Sequence, residues 1–121
     1  MMMNLISGKK IGRIHIGRVG TYIIGANNIR IDRGHSILSN KFKLKDEMWR
    51  DECCDWYDDW LREQFFACSG GDSASVSAEI IRIVGIIESG KDVNLQCWCA
   101  PKRCHGQSIK KLVLQYIKER K

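Results

Sequence analysis

"DVNLQCWCAPKRCHGQSIKKLVLQYIKER", residues 92–120, is the stretch that decides the fold. Val93 to Trp98 is a short, largely apolar run bounded by polar residues, the pattern of a strand buried in a sheet. From Gly106 onward Ile109, Leu112, Val113, Tyr116 and Ile117 recur at helical spacing, and Lys118 and Arg120 suit a helix C-terminus. A strand that feeds a helix through one loop is the working unit of an α/β sheet, so this strand is expected inside a sheet.

Working outward, residues 11–31, "IGRIHIGRVGTYIIGANNIRI", alternate apolar and polar positions. They predict two or three short strands with turns at Gly20 and at Asn27-Asn28. Between these strands and the last one lie two helical segments. In the first, about 46–66, Trp49, Cys53, Trp56 and Trp60 form a stripe flanked by Tyr57, Leu61 and Phe65, while Asp51, Glu52, Asp55, Asp58 and Asp59 take much of the other side. The tryptophans read as core, and the acidic side argues against this helix lying on nucleic acid. In the second, about 75–89, Val76, Ile80, Ile83 and Ile87 share a face, with Ser73 or Ser75 as the cap and Gly90 as the stop. The order predicts a small layered α/β domain: a mostly parallel, Rossmann-like sheet, an N-terminal β extension over 1–28, and three helices, the last at about 106–119.

At 121 residues, 44% apolar and 28% charged, with one proline, the chain is sized and composed for one folded domain over 1–121. The net charge of +6 favours anionic partners such as phosphates, nucleotides or nucleic acid. No run approaches the roughly 18 apolar residues that span a bilayer, and "MMMNLISGKK" lacks the apolar core of a secretory leader. A cytoplasmic location is expected, with the six cysteines as thiols.

The loop "CWCAPKRCHG" admits three chemistries. As an anion cradle, it would use the unpaired N–H groups at the start of the last helix, with Gly106 for close approach and Lys102 and Arg103 for charge. As a zinc site, it would use Cys97, Cys99, Cys104 and His105. Cys97 and Cys99 lie two apart on a strand with Cβ atoms about 6 to 7 Å apart, so closing both on one ion needs a bend. No cofactor is therefore expected, and zinc stands as the alternative. As a reactive thiol, Cys99 or Cys104 would be favoured as thiolate by the helix start, His105 and Arg103, which would make Cys104 and His105 catalytic.

Cys97, Trp98, Cys99, Pro101, Cys104, His105 and Gly106 resemble the signature Cys-Trp-Cys-x-Pro-x-x-Cys-His-Gly of a phage and bacterial domain-of-unknown-function family, number forty-three twenty-six. Arg33, Gly34, Asn40 and Phe42 in "IDRGHSILSNKF" resemble its other signature, and Tyr57, Trp60 and Leu61 its helical one, so the family-like core would be 29–117. The resemblance names no activity. It implies that the loops after two parallel strands act together, bringing Arg33, Gly34, His35, Ser36 and Asn40 toward Cys99, Lys102, Arg103, Cys104, His105 and Gly106. The expected function is binding of a phosphorylated, nucleotide-like small molecule, with sequestration of a host signalling nucleotide suggested by the family's phage context. The alternatives are a nucleotide-processing hydrolase or transferase using Cys104 and His105, and a zinc-stabilised nucleic-acid-binding module. Self-association is compatible with each.

Overall fold

The computed structural model describes residues 5–6, 9–32, 37–39, 47–67, 72–98 and 103–119. The strands are β1 (Leu5–Ile6), β2 (Lys9–Lys10), β3 (Ile14–Arg18), β4 (Asn27–Arg30) and β5 (Val93–Cys97). The helices are α1 (Arg50–Ala67), entered through a 3-10 turn at Glu47–Trp49, α2 (Asp72–Glu88) and α3 (Gly106–Glu119). Among the described residues β1 and β2 pair with each other alone, antiparallel. The main sheet is all parallel in the order β3-β5-β4, so β5 lies inside it as expected. Ile14 pairs with Val93 on one side and Asn27 pairs with Val93 on the other.

Alternation along β5 sorts its two faces. Val93, Leu95 and Cys97 join Ile14 and Ile31 in one buried core with Tyr57, Leu61 and Phe65 of α1, Val76, Ile80, Ile83, Val84 and Ile87 of α2, and Ile109, Leu112, Val113 and Ile117 of α3. α2 and α3 reach the sheet directly, and α1 packs mainly across these two helices. Asn94 and Gln96 point the other way. There the β3–β4 connection, residues 19–26, crosses β5, and Thr21 C=O accepts from Asn94 Nδ2 (3.1 Å) and Gln96 Nε2 (2.6 Å). The described residues thus show helices serving one face and a polar crossover on the other. A Rossmann-like sheet would carry helices on both.

Several expectations change. β3 is an edge strand of the main sheet, so residues 14–18 belong to the core and are not an extension before it. Asn27 and Asn28 lie in β4; Asn28 still serves the preceding turn, since its Oδ1 accepts from Ile23 N–H (3.1 Å) and its Nδ2 donates to Ala26 C=O (3.1 Å). α2 begins at Asp72, which puts Ser73 and Ser75 inside its first turn instead of at its cap. Gly90 does end it: with φ 91° it lets Gly90 N–H reach Ile87 C=O and Lys91 N–H reach Ile86 C=O, the bonds of a Schellman ending. On α1 the buried face is Cys53, Cys54, Tyr57, Leu61 and Phe65, whereas Trp49 and Trp56 are 44% and 47% exposed. Of the expected stripe, Cys53 is buried and Trp60 packs half-buried against the core, while Trp49 and Trp56 give way to Cys54, Tyr57, Leu61 and Phe65.

The amino edge of the sheet is tied by Asp92. Its carboxylate accepts from Arg13 N–H (2.9 Å) and pairs with His15 Nε2 (3.0 Å), contacts that hold its pKa below 3.8. No helix among the described residues is long and apolar enough to cross a membrane.

Candidate functional site

Because β4 and β5 are parallel neighbours, the chain leaves both at the same edge. Asp32 and Trp98, the last described residues after the two strands, are bonded there: Trp98 Nε1–H donates to Asp32 Oδ2 (3.1 Å). Arg30 grips the same carboxylate with two N–H groups, Nε to Oδ1 at 2.9 Å and Nη2 to Oδ2 at 2.5 Å, and these bonds raise its pKa. Asp32 is buried. A buried carboxylate is retained when paired and hydrogen-bonded, and here one cation and one indole share that task. Ile31, between Arg30 and Asp32, donates its N–H to Gln96 C=O (3.0 Å) and accepts from His105 Nε2–H (2.7 Å), so β5 and the start of α3 both clamp the exit of β4.

The residues of the cysteine–histidine motif that are described face inward. Cys97 and Cys104 are 1% and 2% exposed, with their Sγ atoms 2.8 Å apart. His105 is buried, its ring edge-on to Tyr57 at a centroid distance of 4.9 Å. Donation to a carbonyl fixes the proton on Nε2. Gly106 meets the sheet: a Cβ there would lie 3.0 Å from Ile31 Cδ1 and 3.4 Å from Ile16 Cγ2, so the close approach it permits is to the core and not to a ligand. The first N–H groups of α3 are also engaged, Gln107 N–H with Cys104 C=O and Ser108 N–H with His105 C=O. Two of the N–H groups expected to cradle an anion at this helix start are thus spent on its own turn.

Burial pushes the His105 pKa below 6.5, with the Ile31 carbonyl and Asp32 pulling against it. The unfolded chain therefore takes up a proton near its ordinary histidine pKa that the folded chain refuses, so stability is complete above that pH and falls as the pH drops through it. Urea midpoints should decline between about pH 7 and 5, and His105→Gln should flatten that decline. A profile equally steep in the variant would assign the proton to another group.

Arg103 was expected to hold an anion. Its guanidinium instead bridges to α1, with Nη1 on Asp51 Oδ1 and Nη2 on Asp55 Oδ1, each at 2.8 Å, while Arg50 Nη1 donates to Arg103 C=O (2.9 Å). Asp51 and then Asp55 raise its pKa. A cleft of about 310 Å³ opens beside it, lined by Asp55, Asp58, Asp59, Arg103, Cys104, Gln107, Ser108 and Lys111. Three carboxylates against two cations do not suit a phosphate. For zinc, no three His, Cys, Asp or Glu side chains converge among the described residues.

Arg33, Gly34, His35, Ser36, Asn40, Phe42, Cys99, Pro101 and Lys102 lie outside the described residues. Sequence reasoning missed Arg30, Asp32 and Trp98. The signal was present: in a strand where Cys97 points inward, Trp98 points with Gln96 to the polar face, and Arg30 and Asp32, flanking the buried Ile31, share one face. Trp98 was expected to be buried with Cys97, yet it is 57% exposed.

Compared with known families, residues 14–115 match the one described as "Domain of unknown function (DUF4326)". No curated protein and no solved structure matches the chain.

Proposed function

Since the chain belongs to the DUF4326 family, whose description assigns no activity, its role has to be read from its own residues, and we propose that it binds a phosphorylated, nucleotide-like small molecule at the carboxyl edge of its parallel sheet. The observation that carries this reading is the Trp98–Asp32 hydrogen bond, which joins the origins of the two post-strand loops at one edge. Open α/β sheets take ligands outside the carboxyl ends of their strands. The net charge of +6 favours an anionic ligand. Binding without turnover is the form we favour, because the proposed nucleophile Cys104 is buried against Cys97 and the Nε2–H of His105 is committed to Ile31. In that form the protein sequesters its ligand, which accords with the phage context of the family resemblance.

Arg33 follows Asp32 directly in the sequence and is the candidate for the phosphate. Arg33→Ala is expected to weaken a phosphorylated ligand by about 1.5 to 3 kcal/mol, the worth of a charge-assisted hydrogen bond. Arg103→Ala should leave affinity unchanged and cost about 1 kcal/mol of stability or less, because its ion pairs are exposed. The ligand comes first from native mass spectrometry of protein purified without chelator and from a thermal-shift screen of nucleotides, cyclic dinucleotides and ADP-ribose derivatives. Loss of binding in Arg103→Ala with none in Arg33→Ala would move the site to the α1–α3 cleft.

A further inference from the structure

We infer that Trp98 and Arg30 form a stacking platform for a nucleobase, held in place by Asp32. This rests on the reading that the carboxyl edge is the ligand site, and it names which end of the ligand the described residues receive.

The argument starts from what these side chains have left to offer. The single polar group of Trp98, Nε1–H, is spent on Asp32, and the ring is nonetheless 57% exposed. What remains to the indole is its π surface. Arg30 spends Nε and Nη2 on the same carboxylate, and its side chain stays 37% exposed. It retains the planar guanidinium face, which stacks on aromatic rings as an indole does. The Arg30 and Asp32 charges cancel, so this part of the edge presents two planar groups with no net charge, which suits an uncharged aromatic ring better than a phosphate. Tyr22, on the connection over residues 19–26, is a further planar side chain and is 71% exposed.

The platform is also fixed in advance. Asp32 is buried, and the adjoining Ile31 is bonded on one side to Gln96 and on the other to His105. Gln96 in turn holds Thr21, the neighbour of Tyr22. A ring so anchored needs little ordering when a base arrives, which keeps the cost of binding low. Asp32 is then a positioning residue: it touches no ligand and sets the indole and the guanidinium.

A nucleobase can come from a free nucleotide or from a single strand, and the test separates them. AMP, GMP, a cyclic dinucleotide, ADP-ribose, base-free ribose 5-phosphate and a short mixed-sequence single-stranded oligonucleotide are titrated calorimetrically into the wild-type chain, Trp98→Ala and Trp98→Phe. Both variants lose the indole donor to the buried Asp32 and should melt a few degrees below the wild type, by the same amount, so each is titrated at a temperature where it is fully folded. At least one nucleotide is expected to bind the wild type, with affinity lowered about tenfold or more in Trp98→Ala and kept within about threefold in Trp98→Phe, as loss and retention of base stacking require. Equal nucleotide affinity in the wild type and Trp98→Ala overturns the platform and leaves small-molecule binding standing. Binding of the oligonucleotide alone, dependent on Trp98, upholds the platform and overturns the small-molecule reading. If neither a nucleotide nor the oligonucleotide binds, both fall.

Discussion

Tyr57→Ala is expected to destabilise the chain by about 3 to 5 kcal/mol, the range for removing a fully buried large aromatic. Tyr57 has no exposed surface, and its ring packs against His105 at 4.9 Å and Trp60 at 5.6 Å. Its O–H donates to Leu38 C=O at 2.5 Å. Burial holds its pKa well above 10.0, so it stays neutral and keeps that donor. The loss should reach the candidate site, because the ring packs against His105 and His105 clamps the exit of β4. Tyr57→Phe keeps the ring and leaves the Leu38 carbonyl without this donor, for about 1 to 3 kcal/mol. Urea unfolding followed by circular dichroism measures both. A cost under about 1 kcal/mol for Tyr57→Ala would mean that this face of α1 is not core.

Gly12→Ala should cost more than about 3 kcal/mol, by a different mechanism. A Cβ on Gly12 would sit 1.7 Å from the Lys91 carbonyl oxygen and 2.3 Å from its carbon. Both atoms are backbone, so no side chain can swing away; the turn between α2 and β5 must move off β3. Gly12 N–H also donates to Ile87 C=O (2.8 Å), so the shift breaks a bond that ties α2 to the sheet edge. The melting temperature should fall by about 10 °C or more. Gly85→Ala is the control: exposed and within α2, with nothing within 4 Å of the added Cβ, it should be neutral or stabilise by up to about 1 kcal/mol. Similar effects at the two glycines would contradict the packing described here.

The helices and the central strand were legible because their periodicities are long and clean. Ile109, Leu112, Val113 and Ile117 fix the buried face of α3, and Val93, Leu95 and Cys97 that of β5. α1 was harder to read because two aromatic stripes lie side by side on it. The stripe of Trp49, Cys53, Trp56 and Trp60 is separated from that of Cys54, Tyr57, Leu61 and Phe65 by about one residue's rotation, and the helices packed on α1 bury the second stripe together with Cys53 and part of Trp60. The N-terminal part was misjudged for another reason: a parallel edge strand gets its partner from far along the chain, and local turn signals such as Asn27-Asn28 cannot announce β5.

At the site, residue type drew attention to the wrong atoms. Cysteine, histidine and arginine are the usual agents of chemistry, yet Cys104 and His105 build the seat of α3 and Arg103 fastens the loop to α1. Among the described residues, those that face solvent at the edge are an arginine and a tryptophan whose importance comes from sharing the buried Asp32 carboxylate. That convergence joins positions 66 residues apart and exists only in the fold.

The most direct test of ligand binding at the carboxyl edge is a proton–nitrogen correlation NMR titration with the nucleotide that most raises the melting temperature. The predicted result is a shift of the Trp98 indole N–H, of Arg30 Nε–H and of the Ile31 and Asp32 amides, while the amides of Asp55, Asp59 and Gln107 around the acidic cleft stay in place. Shifts confined to that cleft, with the Trp98 indole N–H unmoved at saturation, would contradict it.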